Sequence, residues 1–336
     1  MSSASDDVEV LLEAARRPVE RCRLPPAPLR VRLGTAPWLR RIVPTRVAVD
    51  RAEAHGRALW CQNPREQARA RAAMAAVVAG TDRAHEIEAL ARRHVIEARV
   101  KETLFWQPWR EPQLDLASRC ALDQALRCGR GVVLSACHAG HYNLGVTAVA
   151  ATGRVVHSAM AWALEEQPPP GYWGRRVAHR RAHASERGER LFRAAGSFEV
   201  VRRLLGEGEI VSLLFSMPGS CDTWFLGKSV MLASGSSRLA FAADAVVLPI
   251  RVRREHHRMH LDVAAALDPR AFGGIEELHD ALAGVHERWI LEDPAVLDDP
   301  NRPGAWERGA GPQGWRAGNS RAEELPSTPR LHSVRA

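Results

Sequence analysis

Lysine is almost missing from this chain. Of its 47 basic residues only Lys101 and Lys228 are lysine, and all the others are arginine. A genomic composition bias accounts for the excess as well as any binding role does, so the arginines alone select no partner. Paired cysteines are missing too. Six cysteines stand at positions 22, 61, 120, 128, 137 and 221 with no Cys-x-x-Cys among them. That spacing supports neither a zinc ribbon nor a thioredoxin-like motif, and the expectation is of reduced, mostly buried thiols. Long apolar runs are absent. The longest stretches, such as "FAADAVVLPI", reach about half of the ~20 residues that a spanning helix needs. The opening "MSSASDDVEV" is polar and acidic, unlike the basic-then-apolar start of a signal peptide. These absences point to a cytoplasmic protein, one able to dock peripherally on the inner face of the cell membrane.

Two motif classes also fall away. "GKS" at 227–229 invites a phosphate-loop reading, but that motif needs a glycine five positions before Gly227, where Asp222 stands. No spacing among His179, His183, His256, His257 and His260 argues for a metal, and they read as surface or hairpin residues. No metal and no resident cofactor are expected. Recognised nucleic-acid motifs are not found either, so no nucleic-acid partner is expected despite the net charge of +8. A basic surface equally suits an anionic membrane, a phosphorylated substrate or an acidic carrier protein.

What remains is a chain of 336 residues, 46% hydrophobic, long enough for a sizeable core. Helical periodicity dominates the first third, at roughly 46–60, 64–79 and 84–105. A short helix falls within the first 24 residues, and "DLASRCALDQALRCG" forms another with Gly129 as its stop. The pattern then alternates. "GVVLSA" reads as a strand, "YNLGVTAVAATG" as a helix, "RVVHSAM" as a strand, and "ERLFRAAG" and "SFEVVRRLLGEG" as helical. "EIVSLLF" and "KSVML" follow as strands, "SGSSRLAFAADA" as a helix, "VVLPIRVRR" and "RMHLDVAAAL" as a hairpin, and "IEELHDALAGVHERWILE" as a last amphipathic helix. Strands alternating with helices predict an α/β fold, with a mixed, largely parallel central sheet flanked by helices and a helical N-terminal region. The expected organisation is a single domain over 1–300. Its helical part covers about 1–127 and its α/β part about 128–300. A flexible tail is expected over 301–336, where Trp306 and Trp315 could anchor the first part.

The stretch with most chemical content is "CHAGHYN", Cys137 to Asn143, at the end of the "GVVLSA" strand. Asn143 is also a good N-cap for the helix after it. Cys137 and His138 are neighbours at a strand end and point in opposite directions, which argues against a Cys–His dyad. In order and over roughly residues 30 to 290, the chain resembles the late acyltransferases of lipid A biosynthesis and their relatives that acylate phosphatidylinositol mannosides, within the lysophospholipid acyltransferase-like superfamily. The resemblance rests on "GVVLSACHAGHYN", then "FEVVRRLLGEGEIVSLLF", and above all "WFLGKSVMLASGSSRLAFAADAVVLPIRVRR".

That resemblance implies an acyltransferase using an acyl-thioester donor, acyl-CoA or acyl carrier protein, with His138 as general base. Histidine suits the task because its ordinary pKa lies near working pH. The family's acidic partner, five positions later, is Asn143 here. An amide can hold the imidazole ring but cannot neutralise the imidazolium. An acceptor that needs little activation, such as an amine or a thiol, would suit such a base. Backbone N–H groups of "HAGHYN" are expected to serve the oxyanion. His141 is a rival base that does not fit the family spacing. In place of the Asp-containing turn usual after the "LLF" strand, this chain has "SMPGS", with Asp222 slightly later. Asp222, Gly227 and Lys228 are candidate substrate-binding residues. So are Arg175 and Arg176, in a basic run with Arg180 and Arg181 that could meet phosphates or an acidic carrier. "TAPWLRRIVP" suits contact with a membrane interface. The alternative function is a non-catalytic acyl or lipid binder of the same superfamily.

Overall fold

A computed structural model describes residues 4–107, 112–164, 168–193 and 196–298. The tail expected from 301 onward, with Trp306 and Trp315, lies outside the described residues. Seven helices come first: α1 (Ala4–Arg16), α2 (Leu29–Gly34), α3 (Pro37–Ile42), α4 (Thr45–Gln62), α5 (Pro64–Val78), α6 (Ile87–Phe105) and α7 (Leu116–Arg127). Alternation begins at β1 (Val132–Ala136) and continues through α8 (Tyr142–Ala150), β2 (Val156–Ala159), α9 (Tyr172–Arg187), β3 (Arg190–Phe192), α10 (Phe198–Gly206) and β4 (Ile210–Leu214). A hairpin of β5 (Pro218–Phe225) and β6 (Lys228–Leu232) comes next. Then come α11 (Gly235–Ala243), β7 (Val246–Glu255), β8 (Arg258–Val263) and α12 (Ile275–Glu292).

Six strands form one sheet in the order β3-β2-β4-β1-β7-β8, parallel except for the antiparallel β8, while β5 and β6 pair separately. The expected α/β architecture is therefore present. β1 sits between β4 and β7 and is buried along its whole length, the usual state of a parallel strand covered on both faces. Its side chains alternate between two cores. Val133, with Val211 and Val247, joins the layer of α5, α10, α11 and α12. Val132 and Leu134, with Val246 and Leu248, join that of α4, α7 and α8.

Two sequence readings need correction. "ERLFRAAG" was expected to be helical; its Arg190–Phe192 instead forms the edge strand β3, parallel to β2, with Leu191 and Phe192 buried. The helix lies before it. α9 runs to a stop at Gly188, φ +71°, where the chain bends in the left-handed region that glycine favours. Apolar periodicity does not reveal α9 because its inner face buries Arg175, Arg180 and His183 beside Val177 and Ala184. The expectation of mostly buried thiols also fails. Only Cys137 is buried, and Cys61, Cys120 and Cys128 are exposed.

Candidate active site

His138 lies just past β1, at the carboxyl end of the parallel strands, where open α/β sheets hold their ligands. Its ring Nδ1 lies 2.9 Å from Ser216 Oγ, and its backbone N–H donates to the same oxygen at 2.9 Å. The parallel register explains the meeting. Ala136 of β1 pairs with Leu214 of β4, so two residues further along both chains His138 faces Ser216. Both side chains are buried. The His138 ring also meets the Tyr142 ring at 5.2 Å, edge to face.

The loop after His138 is tied down from a second direction. The N–H of Asp298 donates to His138 O at 2.6 Å, and that of Gly140 to Val296 O at 2.9 Å. Gly140 has φ +58°, and a Cβ placed there would lie 2.3 Å from Val252 O, so a side chain is excluded by conformation and by space. Asp298 pairs with Lys101, whose ammonium lies 4.9 Å from the centre of the Tyr142 ring. With the N–H groups of His138, Ala139 and Gly140 already bonded, these three amides are not the oxyanion donors expected of "HAGHYN". Donors from that stretch would have to come from the first turn of α8.

Asn143 does not have the place expected of it. His141, not Asn143, is the N-cap residue, and Asn143 lies within the first turn of α8. Its carbonyl accepts from Thr147 Oγ1 at 2.8 Å, while its side-chain Oδ1 is buried with no hydrogen-bond partner among the described residues. The group on His138 Nδ1 is Ser216. His141 is a poor rival base: burial, aided by Lys101 and Arg254, pushes its pKa down to about 3, so it resists taking up a proton. Burial pushes the Cys137 thiol up, against the opposing effect of hydrogen bonding to Ser216. It therefore stays protonated and unreactive.

A cleft beside this loop is lined by Lys101, Tyr142, Asn143, Arg176, His179 and Arg180, among others. Arg176 reaches it, held by Glu102 at 2.6 Å and stacked on Phe105 at 3.8 Å. Arg175 is on another face, buried, with Nε donating to Thr35 Oγ1 at 2.6 Å. Arg180 is buried in an ion pair with Glu189, which also accepts from Ser158. His183 is buried and His179 half-buried, its pKa pushed to about 4 by burial, so neither is a simple surface residue. The other candidates sit on the β5–β6 hairpin. Asp222 accepts from Ser229, Lys228 Nζ donates to Ala76 O at 3.2 Å, and Gly227 turns at φ +73° against Gly80. These contacts are internal to the fold, and none of the three lines the cleft; nor does His138, whereas His141 does.

Ser216 is the residue that sequence reasoning missed. "SMPGS" registers only as a departure from the family pattern, and the strand pairing that carries Ser216 to His138 is long-range.

No family model and no curated protein matches this chain. Among solved structures it is similar to the 1-acyl-sn-glycerophosphate (LPA) acyltransferase PlsC from Thermotoga maritima. The TM-score is 0.37 and the identity 16%, over 65% of this chain and 84% of that one. So loose a likeness leaves the chemistry of this chain to be read from its own residues.

Proposed function

We propose that this chain is an acyltransferase that moves an acyl group from a thioester donor to a nucleophilic acceptor, with His138 as general base and Ser216 as its positioning residue. The observation that carries the reading is the buried His138–Ser216 hydrogen bond at the carboxyl end of β1, a few residues before His141 to Leu144, which line a cleft. The sequence resemblance around "CHAGHYN" points the same way. In the productive tautomer Nδ1–H donates to Ser216 Oγ, leaving the lone pair of Nε2 to receive a proton. The acceptor loses that proton to Nε2 as its heteroatom bonds to the thioester carbonyl carbon. The tetrahedral intermediate collapses, the C–S bond breaks, and the leaving thiolate takes the proton back from the imidazolium. Lys101, paired with Asp298, and Arg176, paired with Glu102, line the cleft with the first turn of α8, and these are the cationic and dipolar groups nearest to anionic parts of the substrates.

The finer reading concerns the acceptor. Ser216 is neutral, and so is Asn143 at the position that is acidic in the family resembled. A neutral hydroxyl on Nδ1 fixes the ring without adding charge stabilisation to the imidazolium. This favours an amine or thiol over a sugar hydroxyl. Acyl-CoA and acyl carrier protein are both suitable donors. Mass spectrometry of the purified protein with each donor and a panel of amine and alcohol acceptors tests the reading. Acyl transfer that disappears in His138→Ala supports it; undiminished transfer in that variant overturns it, and a clear preference for alcohols overturns the acceptor assignment. The uncoupled Asn143 favours a second reading, a non-catalytic acyl binder, for which acyl species would copurify without turnover.

A further inference from the structure

The backbone of His138 is held on both sides. Its N–H donates to Ser216 Oγ at 2.9 Å, and its carbonyl accepts from the N–H of Asp298 at 2.6 Å. Next to that second bond, Ala139 faces Leu297 in an isolated antiparallel bridge, and the N–H of Gly140 donates to Val296 O at 2.9 Å. Residues 296–298 therefore lie along the His138 loop as a strap. Leu297 anchors the strap, buried in the core that also holds Val133 and Phe215.

The strap is fastened in turn to α6. His94 Nδ1 lies 2.8 Å from Ala295 O, and Arg93 pairs with Asp293 at 2.7 Å. Two turns beyond His94, Lys101 pairs with Asp298. The side chains of this last pair are only 21% and 31% exposed, so water screens it less than an open surface pair. Lys101 has a second contact. Its ammonium stands 4.9 Å from the centre of the Tyr142 ring, and that ring meets the His138 ring at 5.2 Å, edge to face. One cation thus reaches His138 by two routes, through Asp298 to the backbone and through Tyr142 to the imidazole. The ring itself has no charged partner to hold it, since its Nδ1 faces the neutral Ser216. A displacement of about 1 Å in a catalytic group can cost ~10²-fold in rate, so the hold on this loop bears directly on turnover.

We propose that Lys101 and Asp298 are positioning residues for His138. Their ion pair fastens the 296–298 strap to α6 and, with Tyr142, holds the imidazole in its working orientation. Both act through His138. What His138 does rests on the acyl-transfer reading, whereas its positioning is measurable without any substrate. Arg176, set between Phe105 and Glu102, shows that a guanidinium also serves a ring and a carboxylate together. Lys101→Arg is therefore the conservative variant.

Two measurements on full-length Lys101→Met and Asp298→Ala test this. Nitrogen-15 NMR of histidine-labelled protein, with the His138 signal assigned by its loss in His138→Gln, should show the His138 ring resonances moved in both variants. Melting temperatures should fall by less than about 5 °C. In acyl transfer each variant should lower kcat by about 10–10²-fold, and Asp298→Ala should do so with little change in KM. The double variant should be no slower than the slower single one, since both changes break the same tie, and Lys101→Arg should keep most of the rate. Unmoved His138 resonances with an unchanged kcat overturn the proposal, and so do fully additive effects in the double variant. A rate that merely follows the melting temperature, without rescue by Lys101→Arg, assigns the pair to stability alone and overturns it too. Moved resonances in a protein whose wild type transfers no acyl group would uphold the positioning and overturn the acyl-transfer reading instead.

Discussion

Two arginines of α9, Arg175 and Arg180, turn inward, whereas those of residues 21–49 are exposed except for the half-buried Arg40. Arg175 and Arg180 are buried because Thr35 and Glu189 meet them, and Arg176 is half-covered between Glu102 and Phe105. Arg23, Arg30 and Arg32 are exposed in a stretch with no acidic residue of its own. A guanidinium enters a fold only where a partner offsets its desolvation; without one it remains available to something outside the molecule. The contrast extends to the neighbouring elements. The His138 loop beside α9 has its amides bonded and its rings buried, while α2 and α3 bury nothing. The inward region thus suits chemistry and the outward one suits docking.

Variants should separate the two. The largest effect is expected of His138→Ala, which should cut turnover by roughly 10²–10⁴-fold while leaving binding to anionic lipid vesicles unchanged. A loss of vesicle binding in this variant would break the separation. Arg180→Leu leaves Glu189 buried without its cation, and should cost about 3–5 kcal/mol of stability in urea unfolding. By contrast, the paired change Arg30→Gln with Arg32→Gln should leave stability within about 0.5 kcal/mol and weaken vesicle binding.

Acid should act through the buried histidines. Burial lowers the pKa of His141 and His286 to about 3 and of His179 to about 4. Each group therefore binds a proton more readily unfolded than folded. Their contribution to stability is complete above the unfolded pKa of ~6.5 and is lost as pH falls from there toward the folded values. Urea midpoints measured from about pH 7 down to about pH 5 should fall steadily, and His141→Gln should flatten the slope. Ser216→Ala should have a smaller effect, about tenfold on turnover, with little change in KM and partial rescue by Ser216→Thr. An unchanged rate would remove Ser216 from its positioning role.

Much of the fold was legible in local pattern. β1, β4 and β7 read as short apolar runs, and α4 to α7, α10 and α12 as helical stripes, because each buries apolar side chains at its own period. α9 and β3 were not legible for the complementary reason. The helix buries Arg175, Arg180 and His183, and the three-residue strand is too short to show alternation.

At the site, the sequence by itself determined the position of His138 at a strand end and the neutrality of residue 143, while the need for glycine at position 140 came from the fold, through its φ of +58° and the approach of Val252 O. The sequence also determined the acid-free, arginine-rich run of 21–49, which composition alone displays. Only the tertiary structure decided which side chain meets the imidazole. That choice depends on the pairing of β1 with β4, which sets Ser216 against His138 from 78 residues away and leaves Asn143 without that role. Strand register is a property of two segments together, so neither "CHAGHYN" nor "SMPGS" could reveal it alone.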